Sequence, residues 1–391
     1  MKYLHIIASL DPTAGGLVSA VRSLSLALQD LGHYCEIVTL DVPDLPFLND
    51  FPVPVHALGP SQRGYYFNVR LIRWLIINAK KFDLVIVNGV WLFPGLATLL
   101  ASKISKFHYF VLIHGMLDPW FRIKYPWKHI KKMVYWNISE YWVVRNSTAI
   151  IYSNMEEKKV ADKSFCLDQV KDAVANYCII PRANDRVVQG RFFYELFPEL
   201  KGKRLILFMS RIHPKKGCDL LIEAFAKAAK TSSDIHLVMA GPDNEGWKTN
   251  LIKRTEQLDV AKQITWTGML EGSAKWGAFY AAEVFILPSH SENFGIVVVE
   301  ALSCGLPILM TDKVNIWREV VKDKAGFVEP DTLDGVSQLL RKWLFMSKKE
   351  KEKMKINALG CYQNQFEPSA TAKNFNKIIF DILNDGTTEI M

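Results

Sequence analysis

PSHSENFGIVVVEALSCGLP, residues 288–307, carries the reading of the fold. An apolar run from Val284 to Leu287 leads into it and stops at Pro288. A polar turn follows, and a helix is predicted from near Phe294 to Cys304, stopped by Gly305 and Pro307. Buried strand, turn and helix in so short a span make half of a parallel β-α-β unit. A helix start at Phe294, Gly295 and Ile296 offers backbone amides and the positive end of the helix dipole, and Gly295 lets an anion come close to the chain. Glu292 lies just ahead of that start. Glu300 lies two turns in, among Val297, Val298, Val299, Ala301 and Leu302, where a carboxylate needs a partner. A plainer reading fits the same residues, with Glu292 capping the helix and Glu300 pairing with a basic residue of the core.

A second stretch of the same kind is MSRIHPKKGCDLLIEAF, residues 209–225. Arg211 and Lys216 fall in the loop between a strand at Leu205 to Met209 and a helix opening at Gly217. Two cations so placed make a clamp for a departing diphosphate, although a solvated loop carries such residues too.

Working outward, β-branched runs alternate with segments of helical period along all 391 residues. The first unit has a strand at Tyr3 to Ala8, a loop through Gly15, a helix with Leu17, Val21, Leu24, Leu28 and Leu31 on one face, and a strand at Tyr34 to Leu40. Further strands are predicted at Leu84 to Val87, Tyr109 to Ile113, Ala149 to Tyr152, Ile235 to Met239, Ile264 to Trp266 and Ile308 to Met310. The rhythm lapses between Pro181 and Gly202. The fold class is therefore α/β, two doubly wound, Rossmann-like domains whose strand carboxyl ends face a central cleft, where ligands of such sheets bind. Residues 1–190 form the first domain, 200–365 the second, and 366–391 a C-terminal helix packing back towards the first, with Phe375, Ile378 and Ile379 as anchors.

Composition narrows the partners. Six cysteines without a C-x-x-C pair read as buried, reduced thiols of a cytoplasmic protein, and no metal or other cofactor is expected. His5 and Asp11-Pro12 are unlike a secretory leader, and the opening stretch is expected to be a first strand. Leu84 to Ser102 is uncharged and long enough to span a bilayer, but Asn88-Gly89 and Pro94-Gly95 divide it into strand, loop and helix. The net charge of +8 admits nucleic acid, a membrane surface or an acidic ligand. Residues 119–142 interleave Arg122, Lys124, Lys128, Lys131 and Lys132 with eight aromatic residues, which suits an anionic membrane or a lipid diphosphate, or else an ordinary helix with a solvated basic face and an aromatic core face. No nucleic-acid module accompanies them.

Taken together, Arg211, Lys216-Gly217 and the Glu292, seven residues, Glu300 spacing resemble the family-4 retaining glycosyltransferases of the GT-B fold. The resemblance runs through essentially the whole chain and is more specific in its second half. It implies a nucleotide diphosphate sugar as donor. Arg211 and Lys216 would neutralise its diphosphate, Asn293, Phe294, Gly295 and Ile296 hold it, Glu292 orient the sugar and Glu300 bind the ribose hydroxyls. Ser210 and Asn293 depart from the family's usual glycines. In the first half, Gly15-Gly16 resemble the glycine pair that approaches donor and acceptor, and His114 the histidine that contacts the transferred sugar. Asn88 and Trp91, following a strand, are acceptor candidates. The expected activity is retaining, metal-independent transfer to a glycan or lipid-linked acceptor. The HGMLDPW and TDKVNIWRE stretches, residues 114–120 and 311–319, resemble exopolysaccharide enzymes. A nucleotide-sugar epimerase or hydrolase and a noncatalytic nucleotide-sugar scaffold are the alternatives.

Overall fold

The computed structural model describes the chain except for residues 63, 119–125, 166, 168, 169, 181–185 and 386–391, and except for the side chains of residues 14, 126–129 and 385. It divides into two compact units, residues 1–180 with 366–391, and residues 181–365. The helix Arg186–Leu196 is part of the second unit.

In the first unit seven strands, β1 (Lys2–Ile7), β2 (Tyr34–Thr39), β3 (Val55–Ala57), β4 (Leu84–Asn88), β5 (Tyr109–Leu112), β6 (Ala149–Tyr152) and β7 (Asp172–Val174), form one sheet in the order β3-β2-β1-β4-β5-β6-β7. Every pairing is parallel. Successive side chains of a strand point to opposite faces. Leu4 and Ile6 of β1 therefore enter one core layer with Val85 and Val87, while Tyr3 and Ile7 enter the other with Leu84 and Ile86. Both faces being covered, the strands read as continuous apolar runs. The C-terminal helix Pro368–Asp385 belongs to this unit and buries Ala372, Phe375 and Ile379 in the second of these layers, Ile378 packing at its margin.

The second unit repeats the plan with six strands, β8 (Arg204–Met209), β9 (Ile235–Ala240), β10 (Ile264–Gly268), β11 (Val284–Leu287), β12 (Ile308–Thr311) and β13 (Gly326–Glu329), in the order β10-β9-β8-β11-β12-β13. In each sheet the chain reverses its direction of winding once, between β1 and β4 and between β8 and β11. These are the points at which doubly wound sheets open a crevice beyond their strand carboxyl ends.

The uncharged run from Leu84 divides at the predicted place: β4 ends at Asn88, Gly89 takes a φ of +92°, and a helix runs from Phe93 to Ser105 with Pro94 in its first turn. Among the described residues no helix is long and apolar enough to cross a membrane. Cys35, Cys178, Cys218, Cys304 and Cys361 are free and buried, and burial pushes thiols such as Cys35 up to about 12 and Cys304 up to about 11.

Candidate functional site

The second unit's candidates gather where β8 and β11 diverge. After β8 the chain makes a single 3-10 turn, Pro214–Lys216, begun by the His213 ring accepting the Lys215 amide at 3.0 Å. Gly217 then adopts φ +65° and the helix Cys218–Ala229 begins. A Cβ on Gly217 would lie 2.0 Å from the carbonyl oxygen of Pro288. Only glycine allows that left-handed turn to press against the end of β11. The contact locks the two motif loops together, and the His290 amide donating to Lys215 O at 2.9 Å ties them again.

Glu292 is held by its backbone. Its amide donates to Lys313 O at 2.9 Å, and its carbonyl accepts from the Asn315 amide at 3.1 Å. The TDKVNIWRE stretch thus has a mechanical role as the splint for the Glu292 loop. The side chain does not cap the following helix. That helix begins at Ile296 rather than near Phe294, because Gly295, at φ +70°, is its N-cap with no side-chain cap bond. The Glu292 carboxylate instead forms an ion pair with the ammonium of Lys216, which is only 7% exposed. Arg211 is exposed and makes no ion pair among the described residues. Asn293 lies half-buried and Phe294 buried in the turn before the helix. The first intrahelical bond is Val298 N to Gly295 O at 2.8 Å, so the Ile296 and Val297 amides belong to the turn that has no intrahelical acceptor. Glu300, 6% exposed, does pair with a basic residue: Lys275 Nζ lies 2.5 Å from its Oε1.

The first unit's candidates sit at its own switch point. Gly15, at φ +77°, is the N-cap of the helix Gly16–Asp30, and both glycines are exposed. Asn88 ends β4, and its amide nitrogen donates to Ile6 O at 3.2 Å and Ile86 O at 3.3 Å. With those acceptors fixing the amide, its Oδ1 must be the atom facing His114 Nε2 at 3.1 Å. His114 therefore carries its proton on Nε2, and Nδ1 accepts from the Tyr177 hydroxyl, whose ring stacks on the imidazole with centroids 5.1 Å apart. Burial, reinforced by neighbouring His5, drops the His114 pKa to about 3 and keeps the ring neutral. Both ring nitrogens are thus engaged within the unit. Trp91, at φ +77°, donates Nε1–H to Met116 O at 2.8 Å and packs on Trp136 and Phe165.

The structure therefore joins Lys216 to Glu292 and Asn88 to His114. Tyr177, Lys275 and Pro288 were not legible as site residues, since each acts only through a partner distant in sequence. Among the described residues no group of three or more His, Cys, Asp or Glu side chains could hold a metal ion. Of the basic-aromatic segment, residues 119–125 lie outside the described residues, as do the side chains of residues 126–129.

Paired doubly wound sheets with a cation-carboxylate pair at a switch point define a class, and comparisons with known proteins narrow it. Over nearly its whole length the fold is that of GT-B glycosyltransferases. A glycosyltransferase from Rickettsia africae aligns with a TM-score of 0.77 at 16% identity, over 98% of each chain. Anabaena Alr3699/HepE, solved in complex with UDP and glucose, aligns with a TM-score of 0.76 at 16% identity, over 97% of this chain and 99% of that one. By sequence, a 2-deoxystreptamine N-acetyl-D-glucosaminyltransferase of Niallia circulans is 24% identical over 321 residues, 76% of this chain and 80% of the relative. The chain belongs to the glycosyl transferases of group 1, whose family model matches residues 195–359, with a glycosyl transferase 4-like domain at residues 15–159.

Proposed function

We propose that the chain transfers a sugar, with retention of anomeric configuration and without a metal ion, from a nucleoside diphosphate sugar to a hydroxyl of a glycan or lipid-linked acceptor in cell-surface polysaccharide assembly, at the cytoplasmic face of a membrane. The observation that carries the reading is the ion pair of buried Lys216 with half-buried Glu292 beside the helix start at Ile296. An ammonium and amides without an intrahelical acceptor there suit a diphosphate. A carboxylate bonded to that ammonium suits the hydroxyls of the sugar it carries. That the Anabaena protein was solved with UDP-glucose adds weight to a nucleotide-sugar donor.

In this reaction the acceptor oxygen bonds to the anomeric carbon on the face from which the diphosphate leaves. The carbon–oxygen bond to phosphate breaks, and the acceptor proton passes to a phosphate oxygen of the leaving group. Arg211, Lys216 and the helix amides stabilise the charge that develops on that phosphate, the kind of preorganised electrostatic effect that contributes most in enzymes. Asn293, Phe294 and Gly295 shape the turn that presents those amides. The first unit's Gly15, Gly16, Asn88, Trp91 and His114 are assigned to sugar and acceptor by resemblance.

The test is incubation with nucleotide sugars and a cell-envelope acceptor extract, with the product's anomeric configuration read by NMR. Retained configuration, undiminished by EDTA, is expected. Glu292→Gln should lower turnover about 10²-fold while leaving the affinity for free nucleoside diphosphate nearly intact. Inverted product, or strict dependence on magnesium or manganese, overturns the assignment.

A further inference from the structure

Glu300 is a carboxylate almost removed from water, and its two oxygens are not equivalent. Oε1 receives the Lys275 ammonium at 2.5 Å, whereas Oε2 has no hydrogen-bond partner among the described residues and is not one of the carboxyl oxygens sealed from solvent. Lys275 stands on the helix Gly272–Ala281, ahead of β11, and Glu300 on the helix Ile296–Ser303 that follows it. The strand between them fixes the spacing of the pair. Lys275 is itself anchored, its ammonium lying 5.7 Å from the centre of the neighbouring Trp276 ring. A cation held in this way dictates the rotamer of the carboxylate it binds.

Resting on the donor site proposed above, we infer that Lys275 is a positioning residue for nucleoside recognition: it holds Oε1 of Glu300 so that Oε2 faces the vicinal hydroxyls of a ribose. A carboxylate accepts two hydroxyl donors in a defined plane, and its discrimination against a sugar lacking one of them depends on keeping that plane. Without Lys275, a buried Glu300 has to take up a proton or turn towards water. Either change spoils the match to a diol without removing a direct contact to the ligand.

The experiment compares a ribonucleoside diphosphate with its 2′-deoxy counterpart, using whichever of UDP, GDP and ADP raises the melting temperature of the wild-type chain most. Calorimetric titration of the wild type should give about tenfold or greater preference for the ribonucleotide. In Lys275→Met that preference should collapse towards unity, and in Lys275→Arg, which keeps the charge, it should largely return. Lys275→Gln provides the uncharged comparison should the methionine variant fail to fold. A role in packing alone would weaken both ligands alike and leave their ratio untouched. A wild-type preference that survives in the methionine or glutamine variant therefore overturns the inference alone. A wild type that binds none of the diphosphates removes the donor-site reading and the inference with it, whereas one that binds both sugars equally overturns the inference alone.

Discussion

Both carboxyl oxygens of Glu140 are buried in the first unit, and neither makes a well-formed hydrogen bond among the described residues. Burial pushes its pKa from 4.5 up to about 7, with the Trp91 amide and Tyr135 hydroxyl pulling weakly the other way. Between those two values the unfolded chain has lost a proton that the folded chain retains, so stability falls as pH rises through that window and the full loss, about 3 kcal/mol, is reached above it. His5 and His114 act in the opposite sense. Burial holds them neutral, at about 4 and about 3 against an ordinary 6.5. Below 6.5 the unfolded chain takes up protons that these rings refuse, and stability falls as pH falls. The stability maximum should lie near neutrality, with the alkaline limb owed to Glu140. Glu140→Gln should gain on the wild type by about 2–3 kcal/mol between about pH 5 and about pH 8, measured by urea unfolding. Parallel stability curves for the two proteins would mean that Glu140 is ionised and paired in the folded chain.

At the scale of elements, the helix Pro126–Tyr135, the π turn Trp136–Glu140 and the helix Tyr141–Arg145 run on continuously. Ile130, Val134, Ile138 and Trp142 are exposed along them, Ile138 by 72%, each four residues after the last. In an unbroken α-helix that spacing drifts by about 40° per step. The π turn, bonded over five residues, winds through less angle per residue and takes back much of the drift, keeping the four on one side. With exposed Lys131 and Arg145 this is an apolar stripe edged by cations, the composition of a bilayer-surface helix. Lys132 is less available to lipid, since its ammonium lies 4.8 Å from the centre of the Trp91 ring. Val134→Ser, Ile138→Ser and Trp142→Ser together should release the protein from anionic vesicles in a sedimentation assay while the nucleotide-induced melting shift persists. Unchanged sedimentation would assign the stripe to something other than lipid.

Elements of this kind were legible wherever the pattern was long. The strands at Tyr109, Ala149 and Val284 are where the apolar runs placed them, and so is the helix after Asn88-Gly89. Three strands were not predicted, β3, β7 and β13, because three or four half-buried residues such as Val55–Ala57 make no run to detect. The motif carboxylates were legible as chemistry but not as geometry. Nothing in the spacing of Glu292 and Glu300 says that one meets Lys216 and the other Lys275, since those contacts are made by the crossing of loops and helices around β11.

At the scale of the whole molecule, the first unit is not a continuous length of chain. Residues 366–391 return to it after the second unit is complete. The return is structural, because the last helix packs on the helix Gly16–Asp30 and its Asn376 accepts from the hydroxyl of Tyr3 in β1. Phe375, only 2% exposed, fills the layer between them. Truncating a buried phenylalanine to alanine removes its transfer free energy and leaves a cavity, together about 3–5 kcal/mol. Phe375→Ala should accordingly lose that stability from the first unit alone. Hydrogen exchange followed by mass spectrometry should show faster exchange in β1, β2 and the helix Gly16–Asp30, with β8 to β12 protected as in the wild type. A cut after Gln365 should have the same regional effect, more severely, because it also withdraws Ala372 and Ile379 from the layer. If protection is instead lost from the second unit's strands, or from neither unit, the C-terminal helix does not hold the first sheet together and its place in that core is wrong.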